Sequence, residues 1–190
     1  MPHRLPPVLS RHDLPAAELQ AARLDGEVYA VDACFSPIDE LERPATRAMA
    51  LFASLPGRLI AEQRSAAWVL GALDRPPPVH QLCTDIGARV SQVGPRRAVI
   101  REVVIDEGDL IAYSGLRSTN PLRTAVDLAR FSPAFGAEER RLVAGLGELG
   151  RFDLASCLSM LERRRNLPGK RLAASRLRSA IGGDGVGGEA

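Results

Sequence analysis

Residues 115–130, GLRSTNPLRTAVDLAR, constrain the fold more than any other stretch of the chain. Asn120 is a good N-cap, and Pro121 at the first helical position has no N–H that needs a partner. Leu122, Ala125, Val126 and Ala129 then recur at i, i+3, i+4 and i+7 as one apolar stripe, which Leu128 widens. Arg123 and Asp127 stand one turn apart and can pair. The base precedes the acid, which is the less favourable order, so the pair is expected to add little stability. The expectation is a turn, a cap and a buried helix docked after a strand.

A chain of 190 residues can hold one ordinary domain and a small appended one. Its 45% hydrophobic and 25% charged content is that of a globular protein. No apolar run is long enough to span a bilayer and no secretory leader opens the chain, so a cytoplasmic, non-membrane protein is expected. Cys34, Cys83 and Cys157 are too widely spaced for a disulfide framework. His80 lies near Cys83, but a zinc site needs further ligands at comparable spacing, so plain buried thiols are expected and no metal. The chain has no phosphate loop and no Gly-x-Ser-x-Gly elbow. His3 and His12 lie near the N-terminus and only His80 is central, so no Ser-His-acid set is expected. These absences predict a non-enzyme without a cofactor.

In chain order, residues 1–9 are Pro-rich and expected to be extended. Residues 10–14 predict a short capped helix, and residues 15–26 a second one closed by Gly26. EVYAVDACFSP, residues 27–37, predicts a hairpin or wing. Two helices and a wing in so few residues make a minimal winged helix-turn-helix. Residues 44–55 predict a helix with Ala48, Leu51, Phe52 and Leu55 inward. Residues 58–61 predict a short strand and residues 65–73 a helix, in which Ser65, Ala66, Ala67 and Gly71 allow close approach and Trp68 anchors the core. After a Pro-rich linker come three strands, 79–84, 97–105 and 110–114. Asp106, Glu107 and Asp109 flank a turn glycine and are expected to be solvated; the alternative is a set of metal carboxylates in a nuclease remnant. Helices follow at 137–149, 153–165 and 169–181. In the last, Leu172, Leu177 and Ile181 are expected inward, with Lys170, Arg171 and Arg178 toward solvent. The Gly-rich tail, 182–190, is expected to be disordered. The fold class is therefore α+β: a winged-helix-like unit over 1–43, then a mixed core over 44–181 with a short sheet and several packed helices.

Two blocks carry a family resemblance. GLRSTNPLRTAVDLAR resembles the Thr-x-x-x-Arg-Thr-x-x-Asp-Leu segment of actinobacterial AbiEi-like (abortive infection E) antitoxins. LIAEQRSAAWVLGAL, residues 59–73, resembles that family's Arg-Ser-Ala-Ala-x-x-x-Gly helix. The matching positions are Arg64, Ser65, Gly71, Thr119, Arg123, Thr124 and Asp127. The resemblance implies the antitoxin of a type IV toxin–antitoxin pair. Such a protein represses its own operon through an N-terminal winged helix and suppresses a nucleotidyltransferase-like toxin. It also implies a DNA-binding unit at the N-terminus, where the basic candidates are Arg4, Arg11, His12 and Arg23. This chain's wing carries Glu27 and Asp32 where the family places arginines, and phosphate contact favours basic residues.

Charge distribution points to a second basic surface. The net charge is only +2, yet residues 151–178 hold eight basic side chains against two acids. Arg163, Arg164, Arg165, Lys170, Arg171 and Arg178 are the candidate contacts there, for operator DNA phosphates or for an acidic protein face. The competing readings are a DNA-binding transcriptional regulator without a toxin, and a decayed orphan member of the fold.

Overall fold

A computed structural model describes residues 5–53, 55, 59–86, 98–113, 115–163 and 167–182. Arg4, Arg164 and Arg165 lie outside these residues, as does nearly all of the expected tail, 183–190.

The chain is α+β. Helix α1 (Ala16–Leu24) leads into a hairpin of β1 (Val28–Val31) and β2 (Cys34–Pro37), paired antiparallel with Val31 opposite Cys34. Residues 11–14 form a turn in place of the expected first helix. The Asp13 carboxylate accepts from the Ser10 N–H and hydroxyl, at 2.8 and 2.9 Å, and so holds the chain in that turn. Residues 5–43 therefore show one helix and the expected hairpin, without the first of the two expected helices. Leu9, Leu19, Val28 and Phe35 make a small core of their own beneath them.

The second sheet has five strands in the order β5-β4-β3-β7-β6. They are β3 (Ile60–Ala61), β4 (His80–Asp85), β5 (Ala98–Val103), β6 (Leu110–Tyr113) and β7 (Leu116–Thr119). The β4–β5 and β3–β7 pairs are parallel; β3–β4 and β6–β7 are antiparallel. Sequence reading placed a turn at Gly115 and a cap at Asn120 but no strand between them. Gly115, at φ +84°, allows the tight reversal that returns β7 along β6.

The remaining helices are α2 (Pro44–Phe52), α3 (Gln63–Leu70), α4 (Pro121–Phe131), α5 (Ala137–Gly150), α6 (Leu154–Glu162) and α7 (Lys170–Ile181). Helix α4 touches α3, α5, α6 and α7 and is the centre of the molecule. The main core gathers Leu51 and Phe52 of α2, Trp68 of α3, Val126 and Leu128 of α4, Val143 and Leu146 of α5, and Leu161 of α6. Leu177 of α7 completes it, with Ala61 and Leu82 from the sheet. In α7 the buried pair is Ala173 and Leu177, so Leu172, expected inward, faces outward instead. Gly71, expected to permit close packing, has open space where a Cβ would sit. Its role is the left-handed turn, φ +96°, that ends α3. Among the described residues, no helix is long and apolar enough to cross a membrane.

The cap that starts α4 behaves as its sequence predicts. Asn120 Oδ1 accepts from the Arg123 N–H at 2.8 Å, and Asn120 Nδ2 donates to the Gly108 carbonyl at 2.9 Å. Asn120→Ala removes both bonds and should lower stability by about 0.5–2 kcal/mol. Urea unfolding followed by circular dichroism measures this, and an unchanged midpoint would show that the cap contributes nothing.

Candidate functional site

Helix α4 has no solvent side along most of its length: every residue from Arg123 to Ala129 is buried. Two of them are charged. Arg123 Nε donates to Asp127 Oδ2 at 2.7 Å, and Arg123 Nη1 donates to Asp109 Oδ2 at 2.8 Å. Arg130 Nη1 reaches the other Asp127 oxygen at 3.3 Å, and Arg163 Nη1 reaches the other Asp109 oxygen at 3.4 Å. Burial pushes the Arg123 guanidinium down, but Asp127 and then Asp109 outweigh it, and its pKa is raised overall. Burial also pushes the Arg130 guanidinium down; here Asp127 compensates less, because Arg123 and Arg101 add like charge.

This geometry corrects two expectations. Arg123 and Asp127 are not a weak surface pair, since both are buried. Asp109 is not a solvated turn acid. A 3₁₀ turn over Glu107–Asp109 aims it inward, while Glu107 stays exposed. Thr119 and Thr124 complete the entry to the helix, with their hydroxyls 2.7 Å apart and Thr124 Oγ1 donating to the Asn120 carbonyl at 2.8 Å. Arg123, Arg130 and Arg163 line a small cleft with Asp109, Met160 and Leu167. Each of these arginines already holds a carboxylate, so the cleft offers little uncompensated positive charge.

The other matched block is tied in a similar way. Arg64 bridges α3 to the start of α5 through Glu138 and, at 3.2 Å, Glu139. Ser65 Oγ accepts from the Gln81 N–H at 2.8 Å and lies 3.1 Å from His80 Nδ1, and His80 Nε2 lies 3.2 Å from Asp32 Oδ2. A serine, a histidine and an aspartate are thus brought together where none was expected. Ser65 is 0% exposed, so no substrate can reach its hydroxyl. The set links the β1–β2 hairpin, through the left-handed Asp32 at φ +53°, to α3 and β4. Sequence reading missed it because residues 32, 65 and 80 meet only through the tertiary fold.

Sequence reading also missed Glu62, Arg101 and Arg176. Arg101 donates twice to the buried Glu62, at 2.7 Å each, and its guanidinium carbon sits 4.0 Å from the Phe131 ring centroid. Arg176 donates to the Ala129 and Ser132 carbonyls, at 3.0 and 2.9 Å, and closes the C-terminal end of α4. The three cysteines are free and buried, and burial is the leading cause that pushes the Cys34 and Cys157 thiols up to about 11. Among the described residues, no group of three or more His, Cys, Asp or Glu side chains could hold a metal ion.

The basic candidates divide into three sets. Arg11, His12 and Arg23 are exposed but sit in an acidic unit, in which residues 5–43 carry eight acids and three arginines. Arg163, more than half exposed, lies just past the end of α6 and is partly committed to Asp109. Arg171 and Arg178 are exposed and have no ion-pair partner among the described residues, and Lys170 is half-buried beside them. With Ser175, Arg171 and Arg178 fall at i, i+4 and i+7 on the outer face of α7, a helix that contains no acid.

A family model described as the AbiEi antitoxin C-terminal domain matches residues 59–172. No curated protein matches the chain. Among solved structures, the RV2827C protein from Mycobacterium tuberculosis is similar in fold, with a TM-score of 0.50 at 19% identity, covering 95% of this chain and 73% of that one.

Arg123→Met should cost about 3–5 kcal/mol, because it strands two buried carboxylates. Combining it with Asp109→Asn should cost less than the sum of the single changes by about 1–3 kcal/mol. Chemical denaturation of the four proteins tests this, and strict additivity would rule the pair out.

Proposed function

Because the chain belongs to the AbiEi antitoxin family, we propose that it is the antitoxin of a toxin–antitoxin pair and binds the DNA of its own operon through the outer face of α7. On this reading it represses the operon and suppresses a nucleotidyltransferase-like toxin encoded beside it, without catalysis of its own. The family match supports the antitoxin role.

The observation that carries the DNA contact is the charge on α7. Lys170, Arg171, Arg176 and Arg178 stand on one helix with no acid among them. Arg176 is spent on backbone carbonyls, which leaves Arg171 and Arg178 about 10 Å apart along the axis, a spacing that admits two separate phosphates. Guanidinium groups suit phosphate because their forked donors match its oxygens. The N-terminal unit is the weaker candidate. Its acids would repel phosphates around Arg11, His12 and Arg23, and phosphate neutralisation dominates non-specific affinity.

A mobility shift with the DNA upstream of the protein's own reading frame, titrated with salt, tests the reading. Arg171→Glu combined with Arg178→Glu should weaken binding and reduce the slope of log affinity against log salt by about 2, one unit for each lost phosphate contact. An unchanged slope would remove α7 from the interface.

A further inference from the structure

Strand β5 closes one edge of the five-stranded sheet, and among the described residues no strand lies beyond it. Its hydrogen-bonding groups face β4 and the open side in alternation. The Val103 carbonyl accepts from the Ile86 N–H at 3.1 Å, just past the end of β4. Val99, Arg101 and Val103 therefore bond to β4, while Ala98, Ile100 and Glu102 turn their N–H and C=O groups to the open side. No proline or lysine guards this edge, and its register with β4 runs without a bulge. Apolar side chains beside it are uncovered. Val99 is 55% exposed. On the same face, two residues on, the Arg101 guanidinium lies 4.0 Å from the centroid of the Phe131 ring, which is itself 38% exposed.

We propose that two copies of the chain pair antiparallel through β5 and join their sheets into one. The partner is a second copy because β5 is complementary to itself in a single register, with the twofold axis at Ile100. Ala98 then stands opposite Glu102 and Val99 opposite Arg101, and each outward-facing residue exchanges both backbone bonds with the residue across from it. The neighbouring registers fail. An axis at Arg101 sets two arginines face to face, an axis at Glu102 sets two glutamates face to face, and an axis at Val99 pairs only residues 98–100. An axis between two residues would oppose outward-facing groups to groups already bonded to β4. The register that avoids like charges also covers the exposed side chains. Val99 of one copy lies against Arg101 of the other, on the face where Arg101 meets Phe131. The contact is isologous and closes on itself, so it stops at two copies. Pairing edge to edge buries little area, in the class below about 1,200 Å² in total, which makes the dimer reversible. It does not depend on the DNA reading, and no nucleic acid enters its test.

Sedimentation equilibrium of the full chain, at concentrations reaching about 1 mM, is the measurement. The average mass should rise from 20.4 kDa and level at twice that value. It should change little with salt, because backbone hydrogen bonds and apolar groups make the contact. Glu102→Pro removes an outward N–H and leaves the β4 ladder whole, so it should be monomeric while keeping the wild-type circular dichroism spectrum. Glu102→Ala keeps that N–H and should dimerise as the wild type does. Val99→Arg changes an exposed side chain and sets like charges opposite each other twice, so it should raise the dissociation constant by about tenfold. A wild type that stays monomeric throughout, a mass that climbs past two copies, or a dimer that salt dissociates would overturn the proposal. So would a folded Glu102→Pro that still pairs, a monomeric Glu102→Ala, or a Val99→Arg that pairs as tightly as the wild type.

Discussion

The structure depends on two charges carried through the middle of a buried helix. Arg123 and Asp127 sit where α4 is enclosed by α3, α5, α6 and α7, and moving such groups out of water costs several kcal/mol unless they are fully partnered. Two of the three further partners come from outside the helix. Asp109 arrives from the turn before β6, Arg130 from the next turn of α4, and Arg163 from the end of α6. The helix can be buried only when the turn, the sheet edge and α6 are in place. The ion network therefore couples elements that the apolar core would leave free to slide.

That coupling gives the matched residues a physical reason that does not involve chemistry on a substrate. Thr119 and Thr124 fix the passage from β7 into α4, Asp127 divides its oxygens between two arginines, and Arg64 clasps the start of α5. Ser65 satisfies the Gln81 N–H and meets His80, which reaches the hairpin through Asp32. Each of these side chains terminates a hydrogen-bond network inside the protein. What remains for partners is the surface, and there the informative feature is how charge is sorted between the two ends.

Much of the fold was legible from periodicity and punctuation. The Asn-Pro start of α4, the glycine end of α1, and the β-branched run of β5 follow local rules that hold before tertiary packing. The errors fall where distance in sequence decides. Asp109 in DEGD looks like any solvated turn acid until a 3₁₀ turn aims it at Arg123, fourteen residues away. The weak-pair expectation for Arg123 and Asp127 applied a surface rule to a helix face that is covered by the turn at Asp109 and the end of α6. Leu172 was placed inward because α7 can be wound with either 172 or 173 against the core, and the sequence does not say which side α5 occupies. Of the basic candidates, Arg171 and Arg178 keep an open face; Arg176, which was not among them, proves to be a cap for α4.

A net charge of +2 conceals the feature that most shapes what this surface can do. Eight acids crowd residues 5–43, and α7 holds four bases and no acid. On the reading proposed here, phosphates are drawn to α7 and repelled from residues 5–43, so the placement of charge alone would orient the protein on DNA before any base is contacted.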